Sequence, residues 1–208
     1  MRRVPGTPRR APVRNVANAL TVLRLLLVPV FAALLLHDGG NSPAWRVGAC
    51  AAFVVVALTD LVDGELARRR GIVTDFGAVA DPIADKALTG TALVGLSIVG
   101  DLPWVVTLVI LAREIGVTLL RLWVIRHAVI AASPGGKLKT ALQGVAIALY
   151  LLPPAGGLRV VAAAVMGAAV VVTVVTGLDY VVRAVRVRRG AGSAVPPPAG
   201  VDPTRVTP

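Results

Sequence analysis

The chain has 208 residues, of which 56% are hydrophobic, 4% aromatic and 16% charged. Soluble domains typically have about 45–50% apolar and about 25% charged residues, so the composition predicts an all-α integral membrane protein without a separate soluble domain. The net charge of +11 is carried mainly by arginines beside apolar segments, which favours an anionic membrane surface or substrate over nucleic acid as the partner.

Two terminal segments differ in composition from the rest of the chain. Residues 1–14 are rich in arginine and proline, which predicts a disordered basic tail on the membrane surface. Residues 186–208 are first basic and then rich in proline, which predicts a second disordered tail. Residues 15–185 are therefore expected to form one membrane domain.

Six apolar segments between these tails each approach the roughly 20 residues that a helix needs to cross a bilayer. They lie at about 17–37, 44–67, 81–100, 103–126, 138–155 and 158–184. Lysine and arginine cluster at both termini and in the connections after the second and fourth segments. Because such clusters mark the cytoplasmic side, we predict six transmembrane helices with both termini in the cytoplasm.

Four aspartates lie at the end of the second segment and the start of the third. Asp60 and Asp63 are three residues apart and Asp81 and Asp85 are four apart, so each pair shares one helix face. Asp81 precedes Pro82, a pairing typical of a helix start. Carboxylates at membrane depth are costly, and four that converge cannot all stay ionised without cations. The pattern predicts a site for one or two magnesium-like ions that also binds phosphate oxygens.

The residues around these aspartates suit an anionic substrate. Gly64, Ala67 and Gly77 are small enough to let a bulky phosphate group approach the backbone. Arg68 offers a guanidinium to such a phosphate, and Thr74 offers a hydroxyl. The alternative interpretation is structural: the aspartates cap helices and pair with the neighbouring arginines.

Eight positions of this segment carry a resemblance to a known family: Asp60-x-x-Asp63-Gly64-x-x-Ala67-Arg68 and, after eight residues, Gly77-x-x-x-Asp81-x-x-x-Asp85. The pattern resembles the signature of the CDP-alcohol phosphotransferases at every fixed position. The resemblance implies a membrane enzyme that transfers a phosphatidyl or similar group from a CDP-linked lipid to an alcohol and releases CMP.

The resemblance also implies roles for individual residues. Asp60, Asp63 and Asp81 would hold two divalent ions, Mg²⁺ or Mn²⁺, with Asp85 near them as a further ligand and as the general base. The stretch from Asn18 to Thr21 resembles the other nucleotide-facing segment of the family. The CDP-lipid would then contact Asn18, Thr21, Asp60, Asp63, Gly64, Ala67, Arg68, Thr74 and Gly77. A homodimer in a bacterial plasma membrane, with its active site facing the cytoplasm, is expected as well.

The second half of the chain carries looser motifs. The segments Arg113-Glu114-Ile115, Leu120-Arg121 and Gly136-Lys137-Leu138-Lys139-Thr140 resemble those family members whose acceptor is glycerol 3-phosphate and whose product is phosphatidylglycerophosphate.

A phosphate-bearing acceptor needs a cationic pocket, and four residues are candidates for it. Arg113 and Arg121 are eight residues apart and near one helix face, while Lys137 and Lys139 precede the fifth segment. We predict that all four bind the acceptor phosphate. Alternatively, the lysines are interfacial anchors, Arg121 snorkels to the headgroups and Arg113 pairs with Glu114.

Two other functions fit parts of the pattern. The same chemistry with another acceptor would make cardiolipin from phosphatidylglycerol, or phosphatidylinositol phosphate from inositol phosphate. An ion-coupled or proton-coupled transporter also uses carboxylates inside the membrane. Against a transporter, the aspartates cluster at one membrane face and the sequence shows no inverted repeat of their pattern.

Overall fold

The computed structural model describes the backbone of residues 16–70, 75–124 and 134–191, and the side chains of residues 21–59, 82–120, 136 and 138–185. Within these ranges the chain is helical and has no strand. The α-helices are α1 (Val16–Leu36), α2 (Pro43–Arg70), α3 (Asp75–Ile98), α4 (Trp104–Val124), α5 (Pro134–Leu151) and α6 (Gly156–Ala191). A 3-10 turn, His37–Gly40, joins α1 to α2.

Two of the described turns, after α1 and after α3, depend on left-handed backbone. Gly40 has a φ of 76°, and a Cβ at this position would lie 2.9 Å from a methyl group of Val99. Gly100 ends α3 with a φ of 81°. Glycine adopts this conformation without the steric cost of a side chain, so the α1–α2 turn packs directly on the end of α3.

One apolar core joins all six helices. α1 packs against α2 and α3, α6 packs against α4 and α5, and α5 also contacts α2 and α3. The core contains Phe31 and Leu35 of α1, Phe53 of α2, Leu93 and Leu96 of α3, Ile110 of α4, Ile147 of α5 and Met166 of α6. This packing places the polar residues of α3, α4, α5 and α6 described below on facing helices.

The outer surface of the bundle is apolar. Each of the six helices exposes large apolar side chains, among them Leu26, Val55, Val105 and Val160. Contiguous exposed apolar surface of this kind marks contact with lipid or with another protein. Two helical segments, Thr21–Gly40 and Gly156–Val185, are long and apolar enough to cross a membrane, and this fits a membrane protein.

The prediction of six spans is supported in part by the structure. Six α-helices lie close to the six predicted segments, but only two of the described segments meet the length and hydropathy expected of a span. The described side chains of α2 and α5 include two further apolar segments, Pro43–Thr59 and Leu138–Leu151.

One sequence prediction about α3 was wrong. The helix begins at Asp75, so Asp81 and Pro82 lie inside it and not at its start. Proline cannot donate the backbone hydrogen bond of a helix interior, but the packing of α3 against α1 keeps the helix continuous through Pro82. Asp81 therefore gains no stabilisation from the positive end of a helix dipole.

The C-terminal helix extends beyond the predicted end of the membrane domain. α6 runs to Ala191, so the basic residues Arg186, Arg188 and Arg189 are part of its backbone helix. Arginine has a high helix propensity, and no proline interrupts this segment. The predicted N-terminal tail and residues 192–208 lie outside the described residues.

An ion-pair cluster ties together the end of the bundle that lies away from the aspartates. Arg46 of α2, which is only 4% exposed, pairs with Asp101 and donates to the carbonyl oxygens of Gly40 (3.1 Å) and Tyr150 (2.7 Å). Arg159 of α6 pairs with the same carboxylate and lies over the Tyr150 ring. Asp101 thus pairs with two arginines and links the α3–α4 loop to α2 and α6.

We expect Asp101→Asn to lower the free energy of unfolding by about 3 kcal/mol, because it leaves the buried Arg46 guanidinium without its counter-charge. Thermal unfolding in detergent measures the change. Asp179→Asn is the matched control: Asp179 pairs with Arg183 on the exposed surface of α6, and its loss should cost less than about 1 kcal/mol. Equal effects of the two variants would contradict a stabilising role for Asp101.

Candidate active site

The four signature aspartates lie on the adjoining ends of α2 and α3. Asp60 lies ten residues before the end of α2, and Asp85 lies ten residues after the start of α3. At 1.5 Å per residue, each is about 15 Å along its helix from the short connection at 71–74. Asp63 and Asp81 lie about 10 Å from the same connection, by the same rise. The backbone therefore places one aspartate of each helix at each of two similar depths.

This donor set suits a divalent cation. Four carboxylates offer only hard oxygen ligands, which Mg²⁺ and Mn²⁺ prefer. Among these four residues only Asp85 has a described side chain, which is exposed. The described side chains contain no group of three or more potential metal ligands, and the other three aspartates lie outside that set. The fit consequently rests on donor chemistry and on the helical register.

The remaining predicted nucleotide-binding residues are placed only partly. Thr21 is buried near the start of α1, at 2% exposure. Residues 64, 67 and 68 lie on the helical backbone of α2, residue 77 on that of α3 and residue 18 on that of α1. Their side chains, and the whole of residue 74, lie outside the described residues. Their contacts with a nucleotide stay predictions.

The described part of the site centres on Glu114 of α4. Its carboxylate oxygen Oε1 accepts from Arg113 Nη1 at 3.0 Å and from Lys139 of α5. Lys139 is buried between α4 and α5 at 5% exposure, and Glu114 is partly buried. A buried ammonium requires an opposite charge, and Glu114 supplies it.

Two further polar contacts extend this cluster to α3. Thr118 donates to the Glu114 carbonyl oxygen at 2.7 Å, and its hydroxyl accepts from Lys86. Lys86 directly follows Asp85, and the Asp85 charge acts on Lys139. The basic cluster is thus electrostatically coupled to the signature aspartates.

Threonines of α6 close the cluster on its other side. Arg113 Nη2 donates to Thr176 Oγ1 at 3.0 Å. Gln143 Nε2 of α5, one turn after Lys139, donates to Thr173 Oγ1, also at 3.0 Å. We call the connected residues of α3–α6 the polar seam: Lys86, Arg113, Glu114, Thr118, Lys139, Gln143, Thr173 and Thr176.

The polar seam contains two of the four residues predicted to bind the acceptor phosphate, Arg113 and Lys139. Arg113 and Lys139, 26 positions apart in sequence, meet at one carboxylate. Arg113 does pair with Glu114, as the structural alternative held, but Lys139 is buried and so is not an interfacial anchor. The side chains of Arg121 and Lys137 lie outside the described residues.

Sequence reasoning missed several members of the seam. Lys86 follows a signature aspartate, and Gln143 lies four residues after Lys139, so spacing alone could have suggested both. Thr173 and Thr176 lie in an otherwise apolar helix and carry no such signal. Glu114 was considered only as a partner of Arg113, because its contact with α5 depends on helix packing.

An apolar cavity of about 400 Å³ lies between α1 and α3. Its walls include Ala32 and Leu36 of α1 and Gly90 and Val94 of α3, and Lys86 lies among its lining residues. The cavity therefore extends apolar space to a residue that adjoins Asp85.

Comparison of the chain with known protein families supports the resemblance seen at the eight signature positions. A family model described as CDP-alcohol phosphatidyltransferase matches residues 14–175. The chain therefore belongs to the CDP-alcohol phosphatidyltransferase family, whose members are generally dependent on divalent metal ions. The resemblance carried by the eight signature positions is confirmed.

Individual members of the family are also similar to this chain. A protein of Mycobacterium tuberculosis described as a probable phosphatidylglycerophosphate synthase is 58% identical over 177 residues, which cover 85% of each chain. Two proteins described as CDP-diacylglycerol–glycerol-3-phosphate 3-phosphatidyltransferase are each 36% identical. The one from Rickettsia typhi aligns with 81% of this chain and 96% of its own, and the one from Bacillus subtilis with 66% and 77%.

We expect Glu114→Gln to lower the free energy of unfolding by about 3 kcal/mol, because it leaves Lys139 buried without its negative partner. Adding Lys139→Met should recover most of that loss, since an apolar side chain of similar length removes the isolated charge. Thermal unfolding of both variants in detergent measures the change. A double variant no more stable than Glu114→Gln would show that the ion pair is not what Glu114 contributes.

Proposed function

We propose that this chain transfers the phosphatidyl group of CDP-diacylglycerol to glycerol 3-phosphate, giving phosphatidylglycerophosphate and CMP. The single observation that carries the proposal is the meeting of Arg113 and Lys139 at the Glu114 carboxylate. The names of the relatives, at 58% and 36% identity, support the same donor and acceptor.

The aspartates provide the metal-binding part of the proposed site. Asp60, Asp63 and Asp81 would hold two divalent ions, Mg²⁺ or Mn²⁺, with Asp85 beside them. When bound, these ions supply positive charge to the pyrophosphate of the CDP-lipid and to the departing CMP. The equal depths of the paired aspartates along α2 and α3 support this arrangement.

Asp85 is the proposed general base. Its carboxylate removes the proton from the acceptor hydroxyl as that oxygen attacks the phosphorus of the phosphatidyl group, and the bond from phosphorus to the CMP oxygen breaks. Asp85 is exposed, so an acceptor can reach it. It also lies near the basic end of the polar seam, where a phosphorylated acceptor would bind.

The acceptor phosphate is proposed to bind Arg113, Arg121, Lys137 and Lys139. Among the described members of the seam, the cations Lys86, Arg113 and Lys139 outnumber the single anion Glu114. The excess positive charge favours a dianionic phosphate. A phosphatidylglycerol acceptor carries a single phosphodiester charge and would require less positive charge here.

The donor lipid is proposed to bind along α1, α2 and α3. The CDP group would contact Asn18, Thr21, Asp60, Asp63, Gly64, Ala67, Arg68, Thr74 and Gly77. The apolar cavity between α1 and α3 supports a lipid donor, because it offers apolar space on the helix that carries the proposed base.

We further propose a membrane arrangement for residues 15–185. All six α-helices span the plasma membrane of a bacterium, both termini lie in the cytoplasm and the active site faces the cytoplasm. The scarcity of lysine and arginine in the opposite connections, which hold only Arg46 and Arg159 near their edges, supports this orientation. The proposed assembly is a homodimer.

The test is CMP release by the full-length protein in detergent with CDP-diacylglycerol and Mg²⁺, one acceptor at a time. We expect release with glycerol 3-phosphate, and its loss when a chelator removes the metal. Release only with phosphatidylglycerol or inositol phosphate would overturn the acceptor. Folded protein that releases no CMP with any acceptor would favour a transporter or a lipid-binding protein.

We expect Asp85→Asn to lower turnover by about 10³-fold or more and largely to retain CDP-lipid binding, because it removes the base and leaves three carboxylates for metal. CMP release and binding of a labelled CDP-lipid measure the two effects. Asp38→Asn is the matched control: Asp38 lies in the 3-10 turn with a φ of 52°, which asparagine tolerates well. Undiminished transfer by Asp85→Asn would rule out its role as the base.

A further inference from the structure

Arg113 is held from two sides by different helices. Its Nη1 donates to Glu114 on its own helix, and its Nη2 donates to Thr176 on α6. Within the described residues, these contacts leave a second N–H on each terminal nitrogen, so the guanidinium can still donate to a phosphate. The direction in which these two remaining N–H groups point depends on α6 as well as on Glu114.

The Thr176 hydroxyl is itself fixed. It lies 2.7 Å from the carbonyl oxygen of Val172, one turn earlier in α6, and 3.2 Å from that of Thr173. Donating its proton to the backbone orients the oxygen lone pairs towards Arg113. The hydroxyl is thus a preset acceptor for the guanidinium.

Gly177 provides the space that this contact requires. A Cβ at position 177 would lie 3.0 Å from Arg113 Cγ and 3.4 Å from Arg113 Nε. Cγ lies near the start of the arginine side chain, so even one methyl group would displace the whole guanidinium by a few tenths of an ångström. Elsewhere in α6, Gly167 meets nothing within 4 Å of the same built atom.

We propose that Thr176 and Gly177 of α6 are positioning residues that set the Arg113 guanidinium for the acceptor phosphate. Helix α6 thereby determines acceptor specificity without contributing a charge to the site. This inference rests on the proposed function, since it assigns Arg113 to the acceptor. A displaced arginine weakens the phosphate contact and leaves the CDP-lipid site on α1–α3 unchanged.

The experiment compares Gly177→Ala with Gly167→Ala in the full-length enzyme. Both add one methyl group to α6, and both should raise helix propensity equally. We expect Gly177→Ala to raise the KM for glycerol 3-phosphate at least about fivefold and to leave the KM for CDP-diacylglycerol within twofold. Gly167→Ala should change neither.

A second pair of variants tests the hydroxyl. Thr176→Val keeps the shape and removes the acceptor, so we expect about a tenfold rise in the KM for glycerol 3-phosphate, as for a lost hydrogen bond to a charged group. Thr176→Ser restores the hydroxyl and should bring the KM back to within twofold of the wild-type value. Failure of serine to rescue, or equal changes in both Michaelis constants, would overturn the proposal.

A double-mutant cycle shows whether these residues act through Arg113. In an Arg113→Ala background, Gly177→Ala and Thr176→Val should have no further effect on the KM for glycerol 3-phosphate. Additive effects would mean that α6 acts by another route, and would overturn the proposal.

Assays of the wild-type enzyme distinguish failure of the proposed function from failure of the proposed role of α6. A wild-type enzyme that releases CMP only with another alcohol overturns the acceptor, and the same cycle measured with that alcohol then decides the role of α6. Folded wild-type protein that releases no CMP at all overturns both ideas, because Arg113 then has no acceptor to position.

Discussion

The cost of burying charge in a bilayer governs the arrangement of this bundle. Removing an ion from water costs several kcal/mol even after the protein relaxes, so each buried cation needs an anion at contact distance. Glu114 meets this requirement for Lys139 between α4 and α5, and Asp101 meets it for Arg46 at the other end. Glu114 joins the consecutive helices α4 and α5, and Asp101 joins α2 to α6. Charge neutralisation therefore also specifies how the helices pack.

The Asp101 cluster and the polar seam differ in how much positive charge they leave available to a ligand. Asp101 and Glu114 each contact two cations, but at Asp101 the Arg46 guanidinium also donates to two backbone carbonyl oxygens. In the described polar seam a third cation, Lys86, adds to Arg113 and Lys139, so Glu114 leaves positive charge unbalanced. Residual positive charge held in a fixed geometry is what a phosphate site needs, because the protein need not reorganise when the anion arrives. The first cluster holds the fold, and the second suits a substrate.

Small and uncharged residues of α6 help to position polar side chains of α4 and α5. Most of α6 is valine and alanine, and its side chains largely face outward. Yet Thr173 and Thr176 receive hydrogen bonds from α5 and α4, and Gly177 admits the Arg113 side chain. The direction of the charged Arg113 side chain thus depends on small, uncharged neighbours. The geometry of such a site extends to a helix that bears none of its charges.

The sequence by itself determined the helical membrane class of the protein and its family. Hydropathy and eight fixed positions suffice for these because both are local patterns. Tertiary structure alone decided that Glu114 joins Arg113 to Lys139 and that α6 holds Arg113, since such contacts depend on how separate helices pack. It also placed the start of α3 at Asp75, where packing overrode the local preference of Pro82. Long-range contacts carry no periodic signal, so only the folded chain specifies them.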